Sequence, residues 1–139
     1  MLPAHVAVTS RENDAMSKGR ILVVDDDPRI CRLVRAMLVT NGYEVADTST
    51  GEDALKRVRS EKYDLVLLDH RLPGITGVEV CREIRAGADI AIIVMSAGYD
   101  IRADALQAGA NDYLRKPFGV SELFACVESK ARNRLESPD

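Results

Sequence analysis

Two acidic positions in this sequence stand where a charge is unfavourable. Asp69 closes the apolar run Leu65-Val66-Leu67-Leu68, and Asp25, with Asp26 and Asp27 behind it, closes Ile21-Leu22-Val23-Val24. A carboxylate at the end of such a run must be met by a cation, a metal or a hydrogen-bond donor. The chain offers Lys116, ahead of Pro117-Phe118-Gly119, and Ser96, which closes the run from Ile90 to Met95. Carboxylate oxygens with a backbone carbonyl and water suit an octahedral magnesium ion, a lysine can hold the charge of a transferred phosphoryl group, and a hydroxyl can donate to it. The chemistry of the set is phosphoryl transfer to a carboxylate. Asp27 needs none of it, because an Asp before Pro28 suits a helix cap. Asp25 and Asp26 read as a divalent-cation site, with a solvated acidic loop as the alternative.

These residues can meet only if the elements bring them to one edge. Strands are expected at Arg20 to Asp25, Tyr43 to Thr48, Asp64 to Asp69, Ile90 to Met95 and Asn111 to Arg115, the second of them alternating like a half-exposed edge strand. Between them apolar residues recur at helical spacing: Ile30, Leu33, Val34, Met37 and Leu38, then Ala54, Leu55 and Val58, then Val78, Val80, Cys81 and Ile84. The segment Asp100 to Ala108 carries a thin stripe, Ile101, Ala105 and Ala108, and should be the least firmly packed helix. The last helix should turn Val120, Leu123, Phe124, Val127 and Ala131 inward, with Ser121 or a neighbour as its cap. Five alternations of strand and helix with short connections predict a doubly wound parallel sheet with five helices, in the flavodoxin-like order 2-1-3-4-5. That order places Asp25, Asp26, Asp69 and Ser96 together at the carboxyl edge, with Lys116 arriving from the fifth strand.

With 139 residues, 46% hydrophobic and 29% charged, the chain is one domain that buries roughly two thirds of its unfolded surface. A net charge of −3 gives no basic field for nucleic acid or anionic membrane, and the apolar runs are too short to span a bilayer. Cys31, Cys81 and Cys126 are odd in number and widely spaced, which reads as free thiols in a reducing compartment, the cytoplasm. Residues 1–19 lack sustained periodicity and read as a flexible N-terminal extension whose short apolar patch is Val6-Ala7-Val8; residues 134–139 read as a C-terminal tail.

The motifs Val23-Val24-Asp25-Asp26-Asp27, Leu67-Leu68-Asp69 with Leu72-Pro73-Gly74, Met95-Ser96-Ala97 and Lys116-Pro117-Phe118 together resemble those of the bacterial two-component response regulator receiver domain, of the CheY-like superfamily, over about residues 20 to 133. The resemblance implies a phosphorylation-dependent switch rather than an enzyme acting on separate substrates. Asp69 is then the phosphoacceptor, Asp25 and Asp26 hold Mg2+ with Asp69 and the backbone carbonyl of Arg71, Lys116 contacts acid and phosphoryl oxygens through a turn with a cis Lys116-Pro117 bond, Ser96 is the switch hydroxyl and Tyr113 the switch aromatic. Charge gained at Asp69 would draw in Ser96 and let Tyr113 turn from solvent towards the interior. The implied partners are a sensor histidine kinase or phosphotransfer protein and a downstream effector or output domain, read out by the face of the Asp100 helix, the last strand and the last helix, where a homodimer would also form. Direct contact of this chain with nucleic acid or membrane is not expected.

Two features set this chain apart within the resemblance. Arg71 and Gly98 fill the two variable positions that govern water access to the acyl phosphate. Cys126 and Glu128 stand where the winged-helix transcription-factor class presents basic residues for dimerisation. His70 is expected to face solvent or pack locally. Other readings fit less well: a phosphatase of the haloacid dehalogenase type needs a second acid where Arg71 stands, a flavodoxin-like electron carrier needs a phosphate-binding turn where Asp25-Asp26-Asp27 would repel phosphate, and a pure scaffold would not need the chemical positions filled.

Overall fold

The computed structural model describes residues 17–98 and 100–136, the last five of these as backbone only. Strands β1 (Arg20–Val24), β2 (Glu44–Thr48), β3 (Leu65–Asp69), β4 (Ala91–Ser96) and β5 (Asp112–Arg115) alternate with helices α1 (Pro28–Thr40), α2 (Gly51–Ser60), α3 (Gly77–Gly87), α4 (Arg102–Gln107) and α5 (Val120–Glu136). All strand pairs are parallel and the order is β2-β1-β3-β4-β5, as the alternating pattern predicts.

The continuous apolar runs are explained by burial on both faces of the sheet. Leu22, Val24, Val66, Leu68, Ile92 and Val94 pack with residues of α2, α3 and α4, including Ala54, Val80, Ile84 and Ala105. Ile21, Val23, Leu65, Leu67, Ile93 and Met95 pack with α1 and α5 through Val34, Leu38, Leu123 and Val127. β2, at the sheet edge, is half-buried throughout.

Local hydrogen bonds set the helix starts. Asp27 caps α1 by accepting from the Arg29 N–H at 2.9 Å, with Pro28 as the first helical residue. Thr76 and Glu79 form a reciprocal capping box at α3, which stops that helix at the mouth of the sheet. α4 is only six residues long, and Ala105 is its sole buried member, although Ile101 and Ala108 at its ends are buried too.

Several expectations change. Leu33 is 57% exposed and Val120 50% exposed, so neither joins the core; Cys31 takes the inward place on α1. Ser121 lies within the first turn of α5 instead of capping it, and the Gly119 N–H donates to Glu122 at 3.4 Å. Residues 17–19 are held to the domain, with the Lys18 N–H donating to the Gly42 carbonyl and the Gly19 carbonyl accepting from Glu44 N–H, both at 3.0 Å. α5 continues to Glu136, into the expected tail. The extension proper, residues 1–16, and residues 137–139 lie outside the described residues. Cys31, Cys81 and Cys126 are free thiols.

Candidate functional site

β1 and β3 are direct neighbours, with Val24 opposite Leu68, so their ends bring Asp25 and Asp69 side by side. Both carboxylates are buried, Asp25 at 1% and Asp69 at 4% exposure, while Asp26 is exposed. One oxygen of each of the three lies within 4.8 Å of the others. β4 adds Ser96 from the far side of β3. The Lys116 N–H donates to the Ser96 carbonyl at 2.8 Å, which fixes where the lysine leaves β5. Its ammonium then lies 2.7 Å from Asp25 Oδ2 and 3.1 Å from Asp69 Oδ1. The Lys116-Pro117 bond is cis.

Charges this close and this buried shift one another. Burial, and next the charge of Asp25, push the Asp69 carboxyl up to about 6, with Lys116 pulling against both. Burial alone would lower Lys116, yet its hydrogen bond to Asp25 and the charge of Asp69 outweigh it and hold its pKa above the ordinary range. One ammonium therefore does not fully compensate the pocket. The other Asp25 oxygen, Oδ1, accepts from the Asp27 N–H at 3.0 Å and so orients the carboxylate. A hard divalent cation fits this donor set: three carboxylates, two of them sequestered from water, with charge to spare. The Arg71 carbonyl, the further expected donor, belongs to the turn that follows β3.

Ser96 is buried, and its Oγ donates to the Ala97 carbonyl at 3.0 Å. Tyr113 differs from the solvent-facing start that the switch reading assumes. It is already buried, at 4% exposure, in the cluster that also holds Ile101, Ala105 and Ala108, and the Arg102 guanidinium sits 5.2 Å from its ring centroid. Its hydroxyl finds no partner among the described residues. Arg71 and Gly98 do meet: a Cβ on Gly98 would stand 3.4 Å from Arg71 Nη2, so the guanidinium reaches across from the β3 turn to the β4 turn. His70 packs locally, and burial, then Arg71, lower its pKa. Gly77 is a positioning residue that the motif reading passes over. A Cβ there would collide with the Asp69 carbonyl oxygen and the His70 Cα, so only glycine lets α3 begin directly against the end of β3. Its sequence signal is the Thr76-Gly77-x-Glu79 cap.

Comparison with known proteins agrees with this geometry. The family model described as the response regulator receiver domain matches residues 21–128. The DNA-binding response regulator MtrA of Mycolicibacterium smegmatis is 41% identical over 124 residues, covering 87% of this chain and 54% of that protein. Among solved structures, the response regulator protein TrrA of Thermotoga maritima, in complex with Mg2+-BeF, is 43% identical with a TM-score of 0.75 over 80% of this chain and 97% of that one. The receiver domain of a sensor histidine kinase from Pseudomonas aeruginosa PAO1, with a magnesium ion in its active-site cleft, is 36% identical with a TM-score of 0.76 over 82% of this chain and 98% of that one. The chain spans about half the length of the curated relatives it matches.

Proposed function

The chain belongs to the response regulator receiver domain family, a two-component signalling switch, and on that premise we propose that Asp69 is its phosphoacceptor, served by Lys116 and Ser96. The observation that carries this reading is the single ammonium of Lys116 set between two buried carboxylates, 2.7 Å from Asp25 and 3.1 Å from Asp69. An Asp69 oxygen attacks the phosphorus of a phosphohistidine or small phosphodonor in line with the leaving nitrogen or oxygen. The new bond is an acyl phosphate, and the leaving group departs with the electron pair of the bond that breaks. Lys116 stays within reach of the equatorial oxygens and holds part of their charge, while Ser96 gives up its Ala97 carbonyl to donate to the phosphoryl group. Asp25, Asp26 and Asp69, with the Arg71 carbonyl, are the residues that would hold Mg2+. Bound there, it supplies charge neutralisation for acids and phosphoryl oxygens alike. The protein's own chemistry is limited to taking and losing the phosphoryl group.

The α4–β5–α5 face is the reader, with the buried Tyr113 ring and the Ser96 turn as the coupling, and a homodimer would use the same surface. The donor is a sensor histidine kinase or phosphotransfer protein, and the recipient an effector or output domain. DNA binding is named for the MtrA relative; the net charge of −3 gives this chain no overall basic field that would draw it to nucleic acid. The receiver unit is residues 20–133, to which residues 17–19 pack. Its place is the cytoplasm, consistent with three free thiols; among the described residues no helix is long and apolar enough to cross a membrane.

Intact mass after incubation with acetyl phosphate and Mg2+ tests the acceptor. One phosphoryl adduct is expected on the wild type, none on Asp69→Asn and none in chelator. An adduct on Asp69→Asn would overturn the assignment, as would failure of the wild type both to form one and to bind beryllofluoride.

A further inference from the structure

The turn that carries Ser96 out of β4 is held from the side away from Asp69. β4 and β5 place Ser96 opposite Arg115, and the Arg115 guanidinium, through Nη2, donates to the Gly98 carbonyl at 3.1 Å. The next residue, Lys116, donates its N–H to the Ser96 carbonyl at 2.8 Å. The end of β5 thus grips the Ser96-Ala97-Gly98 turn at both ends. Gly98 has no side chain, so its carbonyl is the handle. On the opposite flank, from the turn after β3, stands Arg71, whose Nη2 is 3.4 Å from the place a Gly98 Cβ would take. The two contacts differ in kind. Arg115 makes a charge-assisted hydrogen bond to backbone, whereas Arg71 presents the far end of a flexible side chain, which can give way.

In the resting arrangement Ser96 Oγ donates to the Ala97 carbonyl at 3.0 Å. To reach a phosphoryl group on Asp69, the hydroxyl must leave Ala97 and turn towards β3, and the segment that carries it follows. β3 and β5 lie on opposite sides of β4, so this is the direction in which Arg115 resists and Arg71 yields. We propose that Arg115 is a positioning residue that latches the Ser96-Ala97-Gly98 turn in its unphosphorylated place through the Gly98 carbonyl, and so sets how readily a phosphoryl group captures Ser96. The inference rests on the reading of Asp69 as phosphoacceptor and Ser96 as the hydroxyl that serves it. A hydrogen bond made in one state alone biases the equilibrium by its net strength. For a surface bond of this kind that is about three- to tenfold.

The sign of the effect separates a latch from simple charge. Arg115→Met keeps the length of the side chain and removes both the donor and a cation close to an anion site. Coulomb attraction alone then predicts weaker binding of beryllofluoride, while loss of the latch predicts tighter binding. Titration of the full chain with beryllofluoride at fixed Mg2+, followed by amide chemical shifts, is expected to give an apparent dissociation constant about three- to tenfold lower for Arg115→Met than for the wild type. Arg115→Lys, which keeps a charged donor on a long stem, should stay near the wild type. In ligand-free Arg115→Met the Ala97 and Gly98 amide signals should also lie displaced from the wild type towards their beryllofluoride-bound positions, a displacement that lost fold stability alone does not produce. Affinity equal to or weaker than the wild type in Arg115→Met would overturn the latch and leave Asp69 its role, since the wild type still binds. No binding by the wild type would overturn the phosphoacceptor reading, and the latch with it.

Discussion

Asp69 carries a tension that its surroundings create and that a single substitution removes. Its carboxyl sits at about 6, raised by burial and by Asp25 from an ordinary 3.8. Between these values the folded protein binds a proton that the unfolded chain releases. Stability from this group is therefore fully present below about pH 4, falls as pH rises through about 6 and is flat above it. The gap corresponds to about 3 kcal/mol at most. Asp69→Asn abolishes it, so in chelator at pH 7.5 the variant is expected to unfold at higher urea concentration than the wild type, by about 1 to 3 kcal/mol, with the difference shrinking towards pH 4. An advantage of the same size at pH 4 and pH 7.5 would show that Asp69 is not the group under strain. The identity of this acid was legible in the sequence, since a carboxylate closing a four-residue apolar run advertises its position. That one lysine would bridge it to Asp25 was not, because the bridge depends on where β5 ends relative to β1. The Tyr113 ring escaped the reading for a related reason: nothing local says whether an aromatic beside small residues of α4 starts inside or outside.

At the scale of elements, the site depends on how closely α3 approaches β3. The Thr76–Glu79 box fixes the first turn, and Gly77 lets that turn press on the Asp69 carbonyl and the His70 Cα. Gly77→Ala adds a Cβ against backbone, which no rotamer change relieves. A destabilisation of about 2 kcal/mol is expected, together with slower adduct formation from acetyl phosphate, because the end of β3 must shift; urea unfolding and intact mass read the two. Wild-type stability in this variant would mean that the helix can slide without cost. Strand order and helix count followed from period and run length, because burial on both faces and crossover helices leave few arrangements. The helix faces were less legible. Leu33 fits the apolar spacing of α1 as well as Cys31 does, and only the angle at which the helix meets the sheet turns Cys31 inward. Val120 lies at the first turn of α5, where the helix has not yet reached the sheet.

The whole molecule gathers its unfavourable charge at one pole of the sheet and leaves its stability to two apolar layers elsewhere. Function and stability therefore pull against each other through a single cluster, and an ion that binds the folded state alone should reverse their balance. Mg2+ at a hundredfold of its dissociation constant adds about 2.7 kcal/mol to a protein that binds it only when folded. The wild type has the full set of Asp25, Asp26 and Asp69 for this, whereas Asp69→Asn keeps two carboxylates and has lost most of the repulsion that the ion relieves. The two proteins are thus expected to cross: the variant melts higher in chelator, and the wild type gains more on titration with Mg2+ until the gap closes or inverts. A Na+ control at matched ionic strength separates binding from screening, since general screening acts on both proteins alike. Equal Mg2+-induced rises in melting temperature for wild type and Asp69→Asn would place the ion away from Asp69, and would remove the reason for three acids to meet where the sheet ends.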